Sequence, residues 1–271
     1  VEIVRLLIGT LLLRPYVFAF LAIYVAIAVP AWGWRRTGLY TLLGYALAWM
    51  AEYSSIHNGF PFGPYAYVSG PTIERELWLA GVPFMDSLSF VFLSFASLQT
   101  ARLIREPLAS GPNGRWDMRW ARPGAPTGWR TWALAGLLTM GLDVVIDPVA
   151  LRGEEWFLGQ IYRYPPGAFY FGVPLANFAG WAVLAWTITG AFLLLERWVL
   201  RRSFGSWRSY PADAWPGGAL FAAVLGFNLA VTWGIGQTGM AVAGCLWALL
   251  MLAPVGNKLV QRRGQARPAE G

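Results

Sequence analysis

Four acidic residues stand where an apolar chain has least reason to carry them. Glu52, Asp86, Asp143 and Asp147 each fall within or at the edge of a long hydrophobic stretch. An ionisable group at the centre of a membrane helix costs at least about 2.5–3.5 kcal/mol. Asp143 and Asp147 are four residues apart, which on a helix puts both carboxyls on one face with Cβ atoms about 5–6 Å apart. Two carboxyls that close in a low dielectric do not both ionise. A carboxylic acid that keeps its proton near neutral pH is what general-acid chemistry requires. Simpler readings compete. Asp147 precedes Pro148, a pairing that marks helix ends and turns, and Glu52 and Asp86 fit a wet interface or ion pairs with Arg75, Arg152 or Arg163.

Other polar and aromatic groups gather near these acids. Asn177 and Asn228 are amides inside apolar stretches that could orient water, and Asn228 equally fits a hydrogen bond to a neighbouring helix. After Glu52 comes His57-Asn58-Gly59-Phe60-Pro61-Phe62-Gly63-Pro64-Tyr65-Ala66-Tyr67, aromatic throughout yet broken by glycine and proline. A second such run is Tyr164-Pro165-Pro166-Gly167-Ala168-Phe169-Tyr170-Phe171-Gly172-Val173-Pro174. Irregular backbone at membrane depth survives only against protein or a cavity, so both runs read as re-entrant or lid segments. His57 fits either proton transfer or a plain loop hydrogen bond.

The elements that must position these groups are membrane helices. Of 271 residues, 56% are hydrophobic and only 13% charged, and mean hydropathy is +0.46. A soluble domain carries about 25% charged residues. Stretches near the roughly 20 residues that a spanning helix needs lie at Tyr16–Trp32, Leu39–Tyr53, Val82–Leu103, Trp132–Leu151, Phe171–Leu195, Gly217–Trp233 and Met240–Val255. The expected fold is all-α: a polytopic bundle of about seven transmembrane helices, forming one domain over 1–260 with a basic cytoplasmic tail at 261–271. Ile3–Leu13, flanked by Arg5 and Arg14, is too short to span and reads as an interfacial helix.

Charge sets the orientation. Sixteen basic residues fall on one side: Arg35, Arg36, Arg102, Arg105, Arg115, Arg119, Arg122, Arg130, Arg197, Arg201, Arg202, Arg208, Lys258, Arg262, Arg263 and Arg267. Five, namely Arg5, Arg14, Arg75, Arg152 and Arg163, fall on the other. By the positive-inside rule the C-terminus is cytoplasmic, and the acids and both aromatic runs share the non-cytoplasmic half of the membrane. Chance would scatter them. The net charge of +7 is therefore topological, not a nucleic-acid footprint, and many of the 16 tryptophans read as an interfacial belt. One histidine excludes a paired-imidazole metal or haem site, one cysteine, Cys245, excludes an internal disulfide, and the lone lysine, Lys258, lies past the last span, which rules out a retinal Schiff base. No dinucleotide, Walker or C-x-x-C motif is present. A carboxylate-bound Mg²⁺ stays open, but no cofactor and no metal is assigned.

At three blocks the chain resembles the integral-membrane carotenoid 1',2'-hydratases, the γ-carotene and bisanhydrobacterioruberin hydratase family. The blocks are Glu52 followed by Gly59-Phe60-Pro61-Phe62-Gly63-x-Tyr65-x-Tyr67; Asp143-x-x-x-Asp147-Pro148; and Gly172-Val173-Pro174-Leu175-x-Asn177-Phe178-x-Gly180-Trp181. Gly81-Val82-Pro83 fits too. Asp86 departs from the family pattern, and the N-terminal spans carry no matching motif. The resemblance implies a cofactor-independent enzyme that adds water across the terminal double bond of an acyclic carotenoid end. It also implies a carotenoid substrate, contact with membrane lipid, association with other carotenoid enzymes and a prokaryotic cytoplasmic membrane. The chemistry suits the residues: a neutral acid protonates the less substituted alkene carbon, aromatic faces steady the tertiary cation, and bound water captures it. Asp143, the deepest acid, is the expected proton donor, Asp147 the water-holding group, and Glu52 part of the same network. His57, Phe60, Phe62, Tyr65, Tyr67, Asp86, Asn177, Asn228 and Trp181 are expected to line or support the site.

Two other classes use similar residues. Asp-x-x-x-Asp resembles half of the diphosphate-binding pattern of membrane prenyltransferases and terpenoid cyclases, whose second, Mg²⁺-holding motif is not found here; Mg²⁺ dependence discriminates. A carotenoid binder or proton-coupled transporter also buries acids, but the repeat symmetry of many transporters is not seen.

Overall fold

The computed structural model describes residues 2–68, 74–105, 127–157, 159–200 and 214–265. Among these residues eight α-helices follow in order: α1 Glu2–Leu13, α2 Pro15–Trp32, α3 Trp34–Asn58, α4 Phe84–Arg105, α5 Trp129–Ala150, α6 Leu175–Leu195, α7 Ala214–Gly234 and α8 Thr238–Gln265. Glu196–Leu200 continues α6 as a π-turn. Four two-residue strands, β1 Ala66–Tyr67, β2 Trp78–Leu79, β3 Val82–Pro83 and β4 Tyr162–Arg163, sit in the connections. The pairs are antiparallel, β1 with β4 and β2 with β3.

Six helices, all but α1 and α3, are long and apolar enough to cross a membrane, which makes this an integral membrane protein. The expected span at Leu39–Tyr53 lies within α3, whose 25 residues cover about 37 Å at 1.5 Å per residue. It is not among the six because its polar side chains turn inward. Thr37, Tyr40, Gly44, Ala48, Glu52 and Ser55 are its buried positions, a stripe at three- and four-residue spacing that packs on one helical face. Two boundaries move for local reasons. Val82 and Pro83 pair as a strand before α4 begins at Phe84, and Phe171–Pro174 stays outside α6, with Tyr170 bridged to Val173.

Local sequence sets the joints. Pro15 opens α2, where its missing N–H costs nothing. Gly33 (φ 82, ψ 154) turns α2 into α3 with no loop, a backbone region open essentially to glycine alone. The Tyr24 hydroxyl reaches back to the Thr37 carbonyl (3.3 Å) and Thr41 Oγ1 (3.0 Å), closing an antiparallel hairpin. α4 is the axis: 89% of its best spanning window is buried inside the protein. α5 and α6 are tied reciprocally. Trp132 Nε1 donates to the Trp186 carbonyl and Trp186 Nε1 to the Ala133 carbonyl, both at 3.0 Å.

This alternation gives the bundle two unlike ends. At one, Arg36 on α3 pairs with Glu196 after α6 (2.9 Å), and Lys258 on α8 donates to the Leu103 and Ile104 carbonyls of α4 (3.0 Å each). The other end holds the start of α2, the end of α3, the start of α4, the end of α5 and the start of α6. α1 lies there, fastened by Thr10 Oγ1 accepting from Leu77 N (2.8 Å) and by the buried Arg14–Glu76 pair (2.6 Å). α8 runs past the expected tail boundary at 260 to Gln265. The rest of the tail, 266–271, and the expected topological residues Arg115, Arg119, Arg122, Arg201, Arg202, Arg208 and Arg267 lie outside the described residues, as do the side chains of Arg262 and Arg263.

Candidate active site

A cavity with about 890 Å³ of empty space, its open mouth included, lies among α2, α3, α4, α5, α6 and α7 at the end opposite the Arg36–Glu196 pair. Glu52, Asp86 and Asp147 face it. So do Phe62, Tyr65, Tyr67, Asn177, Trp181 and Asn228, so most of the expected residues share one chamber although they come from five helices and the segment after α3.

Asp147 is the most heavily solvated acid, and its solvent is protein. It accepts from Tyr162 Oη (2.6 Å), Tyr164 Oη (2.6 Å) and Asn177 Nδ2 (2.7 Å). The same Asn177 amide donates to Asp143 Oδ2 at 2.6 Å, and the two carboxyls lie within hydrogen-bonding reach of each other. Asp143 is 0% exposed and does not line the cavity. Its Oδ1 has no hydrogen-bond partner among the described residues. Asp143 thus stands behind Asp147, one turn deeper in α5. Glu52, 3% exposed, accepts a short hydrogen bond from Ser87 Oγ on α4. Asp86, beside Ser87, faces the Tyr67 hydroxyl. Ion pairing does not explain these acids. Arg152 donates instead to the Pro148 and Phe171 carbonyls (2.8 and 3.0 Å), and no ion pair joins Arg75 or Arg163 to Glu52 or Asp86 among the described residues.

The roof is built by the two aromatic runs. β1 and β4 pair Ala66 with Arg163 and Tyr67 with Tyr162, so Tyr65, Tyr67, Tyr162 and Tyr164 gather above the acids. Tyr65 Oη donates to Tyr67 Oη at 3.3 Å, and the Tyr65 and Tyr164 ring centroids are 6.0 Å apart. Burial first, then the carboxylates below, raises all four phenols above their ordinary value. They are neutral donors across the physiological range. The first run folds back into the protein at Phe62, whose ring stacks on Phe90 (5.7 Å). Gly180 makes that seat: a Cβ there would lie 2.6 Å from the Phe62 ring and 2.7 Å from the Pro61 carbonyl oxygen. Phe90 in turn meets Trp181 at 4.4 Å.

Two expected residues lie elsewhere. Phe60 is 67% exposed, and His57 is exposed on α3, its Nδ1 2.7 Å from the Tyr53 carbonyl and its ring on Tyr53. Neither lines the cavity. Asn228 faces it but spends its amide on the Val224 carbonyl of its own helix (2.9 Å). Tyr162, Tyr164 and Ser87 escape the sequence reading. A signal for the first two was present: Tyr65-Ala66-Tyr67 and Tyr162-Arg163-Tyr164 share one alternation, and alternate residues of a strand point to one face. Among the described residues no group of three or more His, Cys, Asp or Glu has the spacing to hold a metal.

Together these features define a polytopic helical membrane protein with an acid-and-phenol chamber at one end of its bundle. The chain belongs to the carotenoid biosynthesis protein family, whose model matches residues 8–252. Comparison with curated proteins and with solved structures returned no match.

Proposed function

We propose that this carotenoid biosynthesis protein is a hydratase that adds water across the terminal C1'=C2' double bond of an acyclic carotenoid end. One observation carries the reading: three acids face a chamber whose remaining walls are largely aromatic and aliphatic. Such a chamber accepts a hydrocarbon and offers it only protons, neutral hydroxyls and amides. Opening at one end of the bundle, it takes one end of the polyene and leaves the rest of a molecule about as long as the hydrocarbon core is thick, about 30 Å, in the bilayer. Protonation at the less substituted carbon leaves a tertiary cation, which the faces of Trp181 and Phe90 steady. Asp147 holds the attacking water and takes its proton. Asp143 touches no substrate and acts through Asp147, as a positioning residue.

The basic bias supports a cytoplasmic C-terminus in a prokaryotic membrane, with the chamber at the non-cytoplasmic side. In a Cys245→Ala background, Phe169→Cys should label from outside and Trp34→Cys from the cytoplasm; both sites are exposed. The reverse pattern would invert the topology. The function itself is tested by expression in a host making lycopene or γ-carotene. The pigment should gain the mass of one water per modified end, with oxygen from labelled water. Oxygen derived from O₂, or a reaction that needs Mg²⁺ and a diphosphate, would overturn the assignment.

A further inference from the structure

Hydration needs a proton donor as well as a base at the reacting carbons, and these roles divide unequally among the acids of the chamber. Asp147 is surrounded by donors: two phenols, the Asn177 amide and the neighbouring Asp143 carboxyl. An ionised carboxylate only accepts hydrogen bonds, and this set of partners is the one that suits it. Asp143 could supply a proton but does not reach the chamber. The remaining acids on the wall are Glu52 and Asp86, from α3 and α4. They lie near enough to interact electrostatically, and two adjacent carboxyls in an apolar wall do not both carry charge.

The surroundings choose between them. The Tyr67 hydroxyl faces Asp86, while Arg14, the nearest cation, is spent on Glu76 at the rim. Of the two acids, Asp86 is therefore the one with a phenol to hold a carboxylate. Glu52 has no phenol partner. Its single hydrogen bond among the described residues comes from Ser87 to Oε2, which leaves Oε1 to carry the proton.

Building on the hydratase reading, we infer that Glu52 is the catalytic proton donor, with Asp86 as its charged neighbour, Ser87 as its positioning residue and Asp147 as the separate base. The step balances. The Glu52 O–H bond breaks as the π pair of the terminal double bond takes the proton at C2', leaving the cation at C1'. The water oxygen bonds to C1' while Asp147 takes the water proton. Asp147 then gives that proton to solvent and Glu52 takes one back, so the cycle consumes water alone.

Deuterium exchange separates the two halves. With membrane-embedded enzyme and lycopene in D₂O, the wild type should form hydrated, deuterated pigment. Asp147→Asn should lose at least about 100-fold in hydration, yet deuterium should enter the recovered lycopene, because Glu52 still protonates the alkene and takes a proton back from the cation. Glu52→Gln should give neither product nor exchange, Glu52→Asp should recover part of both, and Ser87→Ala should slow both together. Insertion and pigment binding are measured for each variant. Should Glu52→Gln fail to insert, the ratio of exchange to hydration in Ser87→Ala and Asp147→Asn still decides. Exchange or hydration by inserted Glu52→Gln at the wild-type rate would overturn the assignment. So would an inserted, pigment-binding Asp147→Asn that exchanges no deuterium. A wild type that leaves lycopene unhydrated would instead overturn the hydratase reading itself.

Discussion

The two ends of the bundle treat a buried carboxylate in opposite ways. At the basic end Glu196 is held by the Arg36 guanidinium through two contacts, 2.9 and 3.3 Å, and at the rim of the other end Glu76 is held by Arg14. Within the chamber no cation holds the acids: Asp147 has two phenols, an amide and the Asp143 carboxyl, and Glu52 a serine. A guanidinium cancels a carboxylate and stays charged at every relevant pH, so such a pair fastens helices and does nothing else. Neutral donors leave the acid free to change its charge. The difference separates the acids that build this protein from those that can do chemistry in it.

The largest test of that contrast is on α5. Asp147→Asn should lower hydration about 10²–10⁴-fold, the usual worth of general acid–base catalysis. Asp143→Asn should fall at the lower end of that range. The double variant should be no worse than Asp147→Asn alone, because groups acting as a unit are not additive. Additive losses, read as hydrated pigment per inserted protein, would make Asp143 an independent participant.

Next come the neutral donors. A hydrogen bond to a charged group is worth about 1.5–3 kcal/mol, so Tyr162→Phe or Tyr164→Phe should each cost roughly 10–100-fold in turnover if that interaction grows in the transition state. Unchanged turnover in both would remove the phenols from the chemistry. Glu196→Gln should behave in the opposite sense. Turnover per folded molecule stays at the wild-type value, while thermal unfolding in detergent reports a loss of about 1.5–3 kcal/mol. A variant at Glu196 that loses activity without losing stability would erase the distinction between the ends.

The smallest effect is in alkaline titration. Tyr65, Tyr67, Tyr162 and Tyr164 are raised by burial in the folded protein, while the unfolded chain ionises them near the ordinary value of about 10. Above that value the unfolded state binds fewer protons than the folded one. The stability they contribute is therefore complete below about pH 10 and is lost as pH rises toward their folded values. Between about pH 9 and 11, the phenolate absorbance of folded Tyr65→Phe should match that of the wild type, while the denatured proteins should differ by one tyrosine. A difference between the folded proteins would show that Tyr65 ionises in place.

Much of this organisation is legible in the chain because membrane helices are written in consecutive residues. Pro15–Trp32 and α5–α8 follow from apolar runs, and the convergence of Glu52, Asp86 and Asp147 on one end follows from span parity. Asp143 and Asp147 were placed on one face by spacing alone, yet spacing does not tell which of the two meets a cavity; that depends on the packing of α5 against α6, where Asn177 bridges them. Phe60 and Phe62 look equivalent in sequence, and only the seat at Gly180 buries one and leaves the other outside. The phenol roof depends on pairing β1 with β4, a long-range contact that the shared Tyr-x-Tyr alternation permits but does not specify. Hydropathy also understates α3, because its buried polar side chains find partners on its neighbours, Tyr40 on Ser94 and Glu52 on Ser87.

That pairing carries a consequence in time. Ala66 and Arg163 are neighbours across the roof although roughly a hundred residues separate them in the chain. At about 5–20 residues per second of synthesis, the first strand emerges some 5–20 s before its partner exists. Glu52, on α3, is in the membrane throughout that interval, while the helix bearing Asp147 and the strand that roofs it are still being made. A nascent chain therefore carries half of its acids without the phenols that hold the other half, and becomes competent only when α5, β4, α6 and α7 have followed. Chains arrested before residue 162 should insert and remain inert, so the last-made parts of the chamber act as its assembly checkpoint.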